Sequence, residues 1–115
     1  MEQLEQQVLL VDSTKKVRHI VLLEFKELAQ TRLVMEKLEE VARAVHGFIA
    51  FSHGRSVSIE GLNRDKNYGF TIDFQSTDAL KAYLDHPEHI KLAKEHILPA
   101  QKNGIDSVLA FDYFL

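Results

Sequence analysis

The chain has 115 residues, 45% apolar and 27% charged, which suits one globular domain with a buried core and leaves no room for a second. Its net charge of −3, with acids and bases interspersed, gives no basic stripe to meet phosphates, so neither nucleic acid nor a membrane surface is an expected partner. With no cysteine there is no disulfide framework or thiolate metal site, and the acidic start Met1–Gln7 is unlike a signal peptide, so a cytoplasmic address is expected.

Residues 1 to 16 read as an N-terminal arm. Leu4, Val8 and Val11 suit one face of a short helix, while Val8 to Val11 equally suit a strand; the arm either packs on a partner subunit or frays. The domain proper starts at residue 17. In VRHIVLLEF, residues 17 to 25, period-two alternation puts Val17, His19, Val21, Leu23 and Phe25 on one face of a strand, with Ile20 and Leu22 on the other. From about Gln30 to Val45, helical spacing aligns Val34, Leu38, Val41 and Val45 with Leu33 and Ala42 beside them, and Gly47 follows as a left-handed stop.

Residues 48 to 57 and 68 to 74 read as a hairpin with a long polar loop. In the second of these strands Tyr68, Phe70, Ile72 and Phe74 share a face. Ser76 caps a helix that buries Ala79, Leu80, Tyr83 and Leu84. Pro87 cannot continue that helix but fits the first turn of another, which carries His89, Ala93 and Ile97 in a row, with Ile90 nearby, until Pro99. Asn103-Gly104 turns the chain into a last strand, SVLAFDYFL.

The resulting β-α-β-β-α-β order is the ferredoxin-like plan of the α+β class, a four-stranded antiparallel sheet with helices on one face. The first and last strands are apolar on both sides, which predicts a second covering layer. No helices remain to supply it, so a symmetric homodimer that pairs two sheets is expected.

Three residues stand out for chemistry. His19 is a polar group on an apolar strand face and must find either a buried partner or a cavity under the helices. Tyr83, at helical spacing with Leu80, either packs or donates its hydroxyl. His89, in the first turn of a helix, suits a neutral base or a local packing role. His53, on the face assigned to Ile49 and Phe51, is a further candidate. No metal is expected: His86 and His89 straddle a helix start, and His89 and His96 lie two turns, roughly 10 Å, apart. No serine elbow or glycine-rich phosphate loop occurs, so acyl-enzyme and nucleotide chemistry are unsupported and no cofactor is expected.

The segments VRHIVLLEFK, YGFTIDFQS, LKAYLDHPEHIKL and FDYF together resemble the stress-responsive dimeric α/β-barrel family, Dabb, over about residues 17 to 114. The resemblance implies a barrel built from the sheets of two subunits, in agreement with the pattern above. Many members are stress-associated proteins, and a plant branch resembles polyketide cyclases that close a poly-β-keto chain by an aldol route. In that branch the working groups fall here on His19, Tyr83 and His89; where it has a histidine at the start of the third strand, this chain has Tyr68. The resemblance therefore implies catalytic positions at His89, Tyr83 and His19; His53, Tyr68 and His86 are expected as ligand-binding positions around a small, partly apolar molecule. The alternative is a stress-associated structural or binding dimer without turnover. An enzyme needs an open space that all three side chains reach.

Overall fold

The computed structural model describes residues 14–29 and 31–115, so the expected arm over 1–16 lies almost wholly outside the described residues. The elements run β1 (Val17–Leu23), α1 (Thr31–Arg43), β2 (Phe48–Arg55), β3 (Tyr68–Phe74), α2 (Thr77–Leu84), α3 (Pro87–Leu92) and β4 (Leu109–Phe114). The strands form one antiparallel sheet in the order β2-β3-β1-β4. This is the expected ferredoxin-like α+β plan, with the second helical region divided in two.

Alternation decides which side of the sheet is buried. Val17, His19, Val21 and Leu23 of β1 and Tyr68, Phe70, Ile72 and Phe74 of β3 are buried, as the period-two reading predicts. Against them α1 buries Thr31, Met35, Leu38 and Ala42. The buried stripe of α1 is therefore turned from the expected one: Met35 lies in the core, and Leu33 is 56% exposed. In α2, Leu84 is likewise left outside while Ala79, Leu80 and Tyr83 are buried.

Three local irregularities depart from the sequence reading. In β2 the pairing slips between Phe48 and Ala50, so Ile49 is an extra residue with no partner on β3. That bulge puts Phe48 on the face of Phe51 and His53, against Phe74, and displaces Ile49 from it. After α3 the chain widens into a π-helical segment, Ala93–Ile97, so the buried pair is Leu92 and Ile97, five residues apart, in place of the row from His89; Ile90 is exposed. Pro99 lies within a 3-10 turn, Leu98–Ala100.

β1 ends at Leu23 because the following backbone bonds elsewhere. Glu24 N donates to Gln101 Oε1 at 2.8 Å, while Asn67 accepts from Phe25 N at 2.9 Å and donates to Phe25 O at 2.8 Å. Phe25 keeps only a bridge to Gln101. β4 starts later than expected, since Gly104–Ser107 forms a 3-10 turn tied by a bond from Asn103 N to Ser107 Oγ at 2.8 Å. Gly47 is the left-handed stop, with φ 97°, and a Cβ on it would lie 2.8 Å from Ala79 Cβ.

Among the described residues nothing covers the other face of the sheet. It pairs Leu22 with Leu109 and Ile20 with Phe111 across β1 and β4. Leu22, Leu109 and Phe111 are 40%, 53% and 66% exposed. Beside them Arg18 clasps both Asp73 carboxylate oxygens, at 2.8 and 2.9 Å, and donates to Tyr113 Oη at 3.4 Å.

Candidate functional site

The stretch Tyr83–His89 builds the site by ending one helix and starting the next. Asp85 N donates to Lys81 O at 2.9 Å and His86 N to Tyr83 O at 3.2 Å, which closes the last turn of α2. His86 then takes an extended conformation, with φ −63° and ψ 130°, as a residue before proline should. Pro87 opens α3, where its missing N–H costs nothing. His86 Nδ1 accepts from Glu88 N at 3.1 Å and caps the new helix, so this nitrogen is engaged locally.

The break turns His89 back onto α2. Its Nδ1 donates to Leu84 O at 3.1 Å, which leaves Nε2 as the free lone pair of the neutral ring. The ring packs on Tyr83, with centroids 4.6 Å apart. Burial lowers the His89 pKa, aided by the nearby charges of His19 and His86 and opposed by the bond to Leu84 O. The neutral, basic form is therefore favoured.

Tyr83 is fully buried, and among the described residues its hydroxyl has no hydrogen-bond partner. Burial also raises its pKa, so the group stays protonated and is a donor in wait. A buried hydroxyl without a partner costs about 1–3 kcal/mol, so its presence calls for an explanation.

His19 approaches Tyr83 from the sheet, with ring centroids 6.1 Å apart. Its Nδ1 bonds to Asp112 Oδ1 at 2.6 Å. A carboxylate only accepts, so Nδ1 carries the proton and Nε2 is the ring's remaining acceptor when neutral. Asp112 sits directly across from His19 on β4. Sequence reading missed it; the available signal was an acid alone in the apolar run Leu109–Phe114.

His19, Tyr83 and His89 are thus brought together, while His53 and Tyr68 are not with them. Tyr68 pairs with Leu23 and His19 with Ile72, four residues along the sheet, or about 13 Å. There His53 Nδ1 and Tyr68 Oη share a hydrogen bond of 2.6 Å. The two groups are ends of one row of rings: His53 meets Phe51 at 5.8 Å, Phe51 meets Phe70 at 5.7 Å, and Phe70 meets His19 at 6.3 Å.

A cleft of about 230 Å³ between the β4 edge and α2 is lined by Val17, Thr77, Leu80, Asp112, Tyr113 and Phe114. Of this group it touches only Asp112, the hydrogen-bond partner of His19; His19, Tyr83 and His89 do not line it. Two imidazole acceptors and one phenol donor are the kinds of group that proton transfer at a substrate oxygen requires.

Residues 17–115 match the Stress responsive A/B Barrel Domain family, Dabb. The chain is 30% identical over 104 residues to the stress-response A/B barrel domain-containing protein HS1 of Arabidopsis thaliana, covering 84% of this chain and 87% of that protein. It is similar to a dimeric ferredoxin-like protein of unknown function from Jannaschia sp. CCS1, at TM-score 0.75 and 28% identity over 87% of this chain and 99% of the other. An Arabidopsis thaliana crystal structure aligns at TM-score 0.72 and 28% identity, over 84% of this chain and 92% of its own. The chain therefore belongs to the stress-responsive A/B barrel domain family.

Proposed function

We propose that this protein acts as a homodimer that binds a small, partly apolar compound bearing a carbonyl or phenolic oxygen beside His19, Tyr83 and His89. The observation that carries the reading is the Tyr83 hydroxyl, buried and unpartnered among the described residues between two histidine rings. A ligand oxygen would complete it. The dimer is supported by the exposed apolar residues of β1 and β4 and by the dimeric relative from Jannaschia. Among the described residues no helix is long and apolar enough to cross a membrane, and the cysteine-free composition fits a cytoplasmic address.

The chemistry that suits these groups is cofactor-free proton transfer. His89 Nε2 takes a proton from a carbon beside a carbonyl, and Tyr83 donates a hydrogen bond to the enolate oxygen. In an aldol closure that carbon then forms a bond to a second carbonyl carbon, and the resulting alkoxide recovers the proton from the imidazolium. His19, fixed by Asp112, orients the ligand.

A second reading, a stress-associated dimer without turnover, draws on the packing, since Tyr83, Phe74, Leu23 and Met35 are all fully buried. A thermal-shift screen of small aromatic ketones and β-keto acids separates the two. Stabilisation of the wild type that is lost in His89→Ala supports the site, and stabilisation indifferent to that change removes His89 from it.

A further inference from the structure

β4 is an edge strand, and alternation sorts its side chains by face. The register sets Phe114 opposite Val17 and Asp112 opposite His19. Val17 and His19 are buried under the helices, so Phe114 and Asp112 lie on that side of the sheet too. Leu22, Leu109 and Phe111 lie on the other side, the one assigned above to the partner's sheet. The cleft of about 230 Å³ between β4 and α2 is therefore on the helix side, and a dimer formed through the other face leaves it open. Tyr113 alternates to that other face and joins the cleft at the strand edge.

The cleft has apolar walls and one charge. Val17, Leu80 and Phe114 supply the walls, and Asp112 is the only charged residue that lines it. Asp112 Oδ1 accepts from His19 at 2.6 Å, while Oδ2 has no partner among the described residues. The Asp112 side chain is 42% exposed, so a solute can reach that oxygen. Thr77, one turn before Leu80 on α2, brings a hydroxyl that likewise has no partner among the described residues. The ammonium of Lys15 lies over the Phe114 ring, 5.7 Å from its centroid, yet forms no ion pair with Asp112. Arg18 is held by Asp73 on the other face.

We propose that this cleft binds a small primary amine in its ammonium form, with the cation on Asp112 Oδ2 and the Thr77 hydroxyl and the apolar body against Val17, Leu80 and Phe114. A lone carboxylate among apolar walls selects a cation, and an ammonium gives it a charge-assisted hydrogen bond. The face of the Phe114 ring adds attraction for the same charge, as the position of Lys15 illustrates. An apolar cavity of ~150 Å³ holds a benzene ring, so a cleft of about 230 Å³ has room for an arylmethylamine. None of His19, Tyr83 and His89 lines the cleft, so the assignment does not rest on the function proposed for them.

The test uses the full-length protein with benzylamine, benzyl alcohol, benzoate and methylamine as probes, followed by calorimetry and by amide NMR. Benzylamine is expected to bind and to shift the Thr77, Leu80, Asp112 and Phe114 amides saturably. Its affinity should fall at least tenfold in Asp112→Asn, which keeps an oxygen for His19 and removes the charge. Thr77→Leu removes the hydroxyl and narrows the cleft at a half-buried position, so it should also weaken binding, and it decides the matter if Asp112→Asn does not fold; melting temperatures verify both proteins. His89→Ala should bind benzylamine as the wild type does, so a failure of the Tyr83 reading leaves this result intact. Benzyl alcohol or benzoate binding as tightly as benzylamine would overturn the charge selection, and methylamine binding as tightly would overturn the apolar contact. No saturable shift at these amides, or benzylamine affinity unchanged in both variants, would overturn the site itself.

Discussion

Replacing Tyr83 by phenylalanine removes one oxygen and little else. The ring contacts to Phe74 at 5.4 Å and to His89 at 4.6 Å remain. The hydroxyl, without a partner among the described residues, carries a desolvation cost of about 1–3 kcal/mol that no hydrogen bond returns. Tyr83→Phe should therefore stabilise the ligand-free protein by about 1–2 kcal/mol, or about 4–8 °C in Tm for a chain of this size. The same change should abolish stabilisation by an aryl ketone, because the donor is gone. The assay is differential scanning calorimetry at one fixed protein concentration, since the Tm of a dimer depends on it. A Tm lowered by several degrees in Tyr83→Phe would refute the reasoning, for it would mean that the hydroxyl is already satisfied within the fold.

His89 makes stability depend on pH. Its folded pKa lies below the unfolded value of 6.5, so the unfolded chain binds the proton more readily and stability falls as pH drops below that value. Urea denaturation between pH 5 and pH 8 should show a shallower acid decline in His89→Gln than in the wild type. Phe111→Glu alters a side chain 66% exposed in the subunit, so the subunit should fold while the dimer constant weakens at least tenfold by light scattering; an unchanged dimer would contradict the proposed sheet pairing. Gly47→Ala should cost at least about 2 kcal/mol in chemical denaturation, since φ is 97° and its Cβ would lie 2.8 Å from Ala79 Cβ.

The sequence was most legible where one physical rule acted alone. Strand alternation put His19 on the buried face, and the proline rule put the helix break before His89, so the meeting of His19, Tyr83 and His89 was readable. Asp112 was not, because it is an acid on an edge strand and only the register of β1 against β4 sets it opposite His19. The bulge at Ile49 has no glycine to mark it, so the alternation read through β2 placed Ile49 on the wrong face. The π-helical turn at Ala93–Ile97 escapes a 3.6-residue reading by its nature, and it exchanged the expected row from His89 for Leu92 and Ile97. In α1 a small rotation about the axis separates a stripe through Leu33 from one through Met35, and tertiary packing chose Met35.

The most direct measurement is a crystal structure of the dimer with a small hydroxyaryl ketone bound. If the Tyr83 hydroxyl is held for a ligand, a ligand oxygen will lie about 2.6–3.2 Å from Tyr83 Oη, with the His19 and His89 rings on either side. A ligand seated elsewhere, with Tyr83 Oη bonded to a group of the protein itself, would contradict the account.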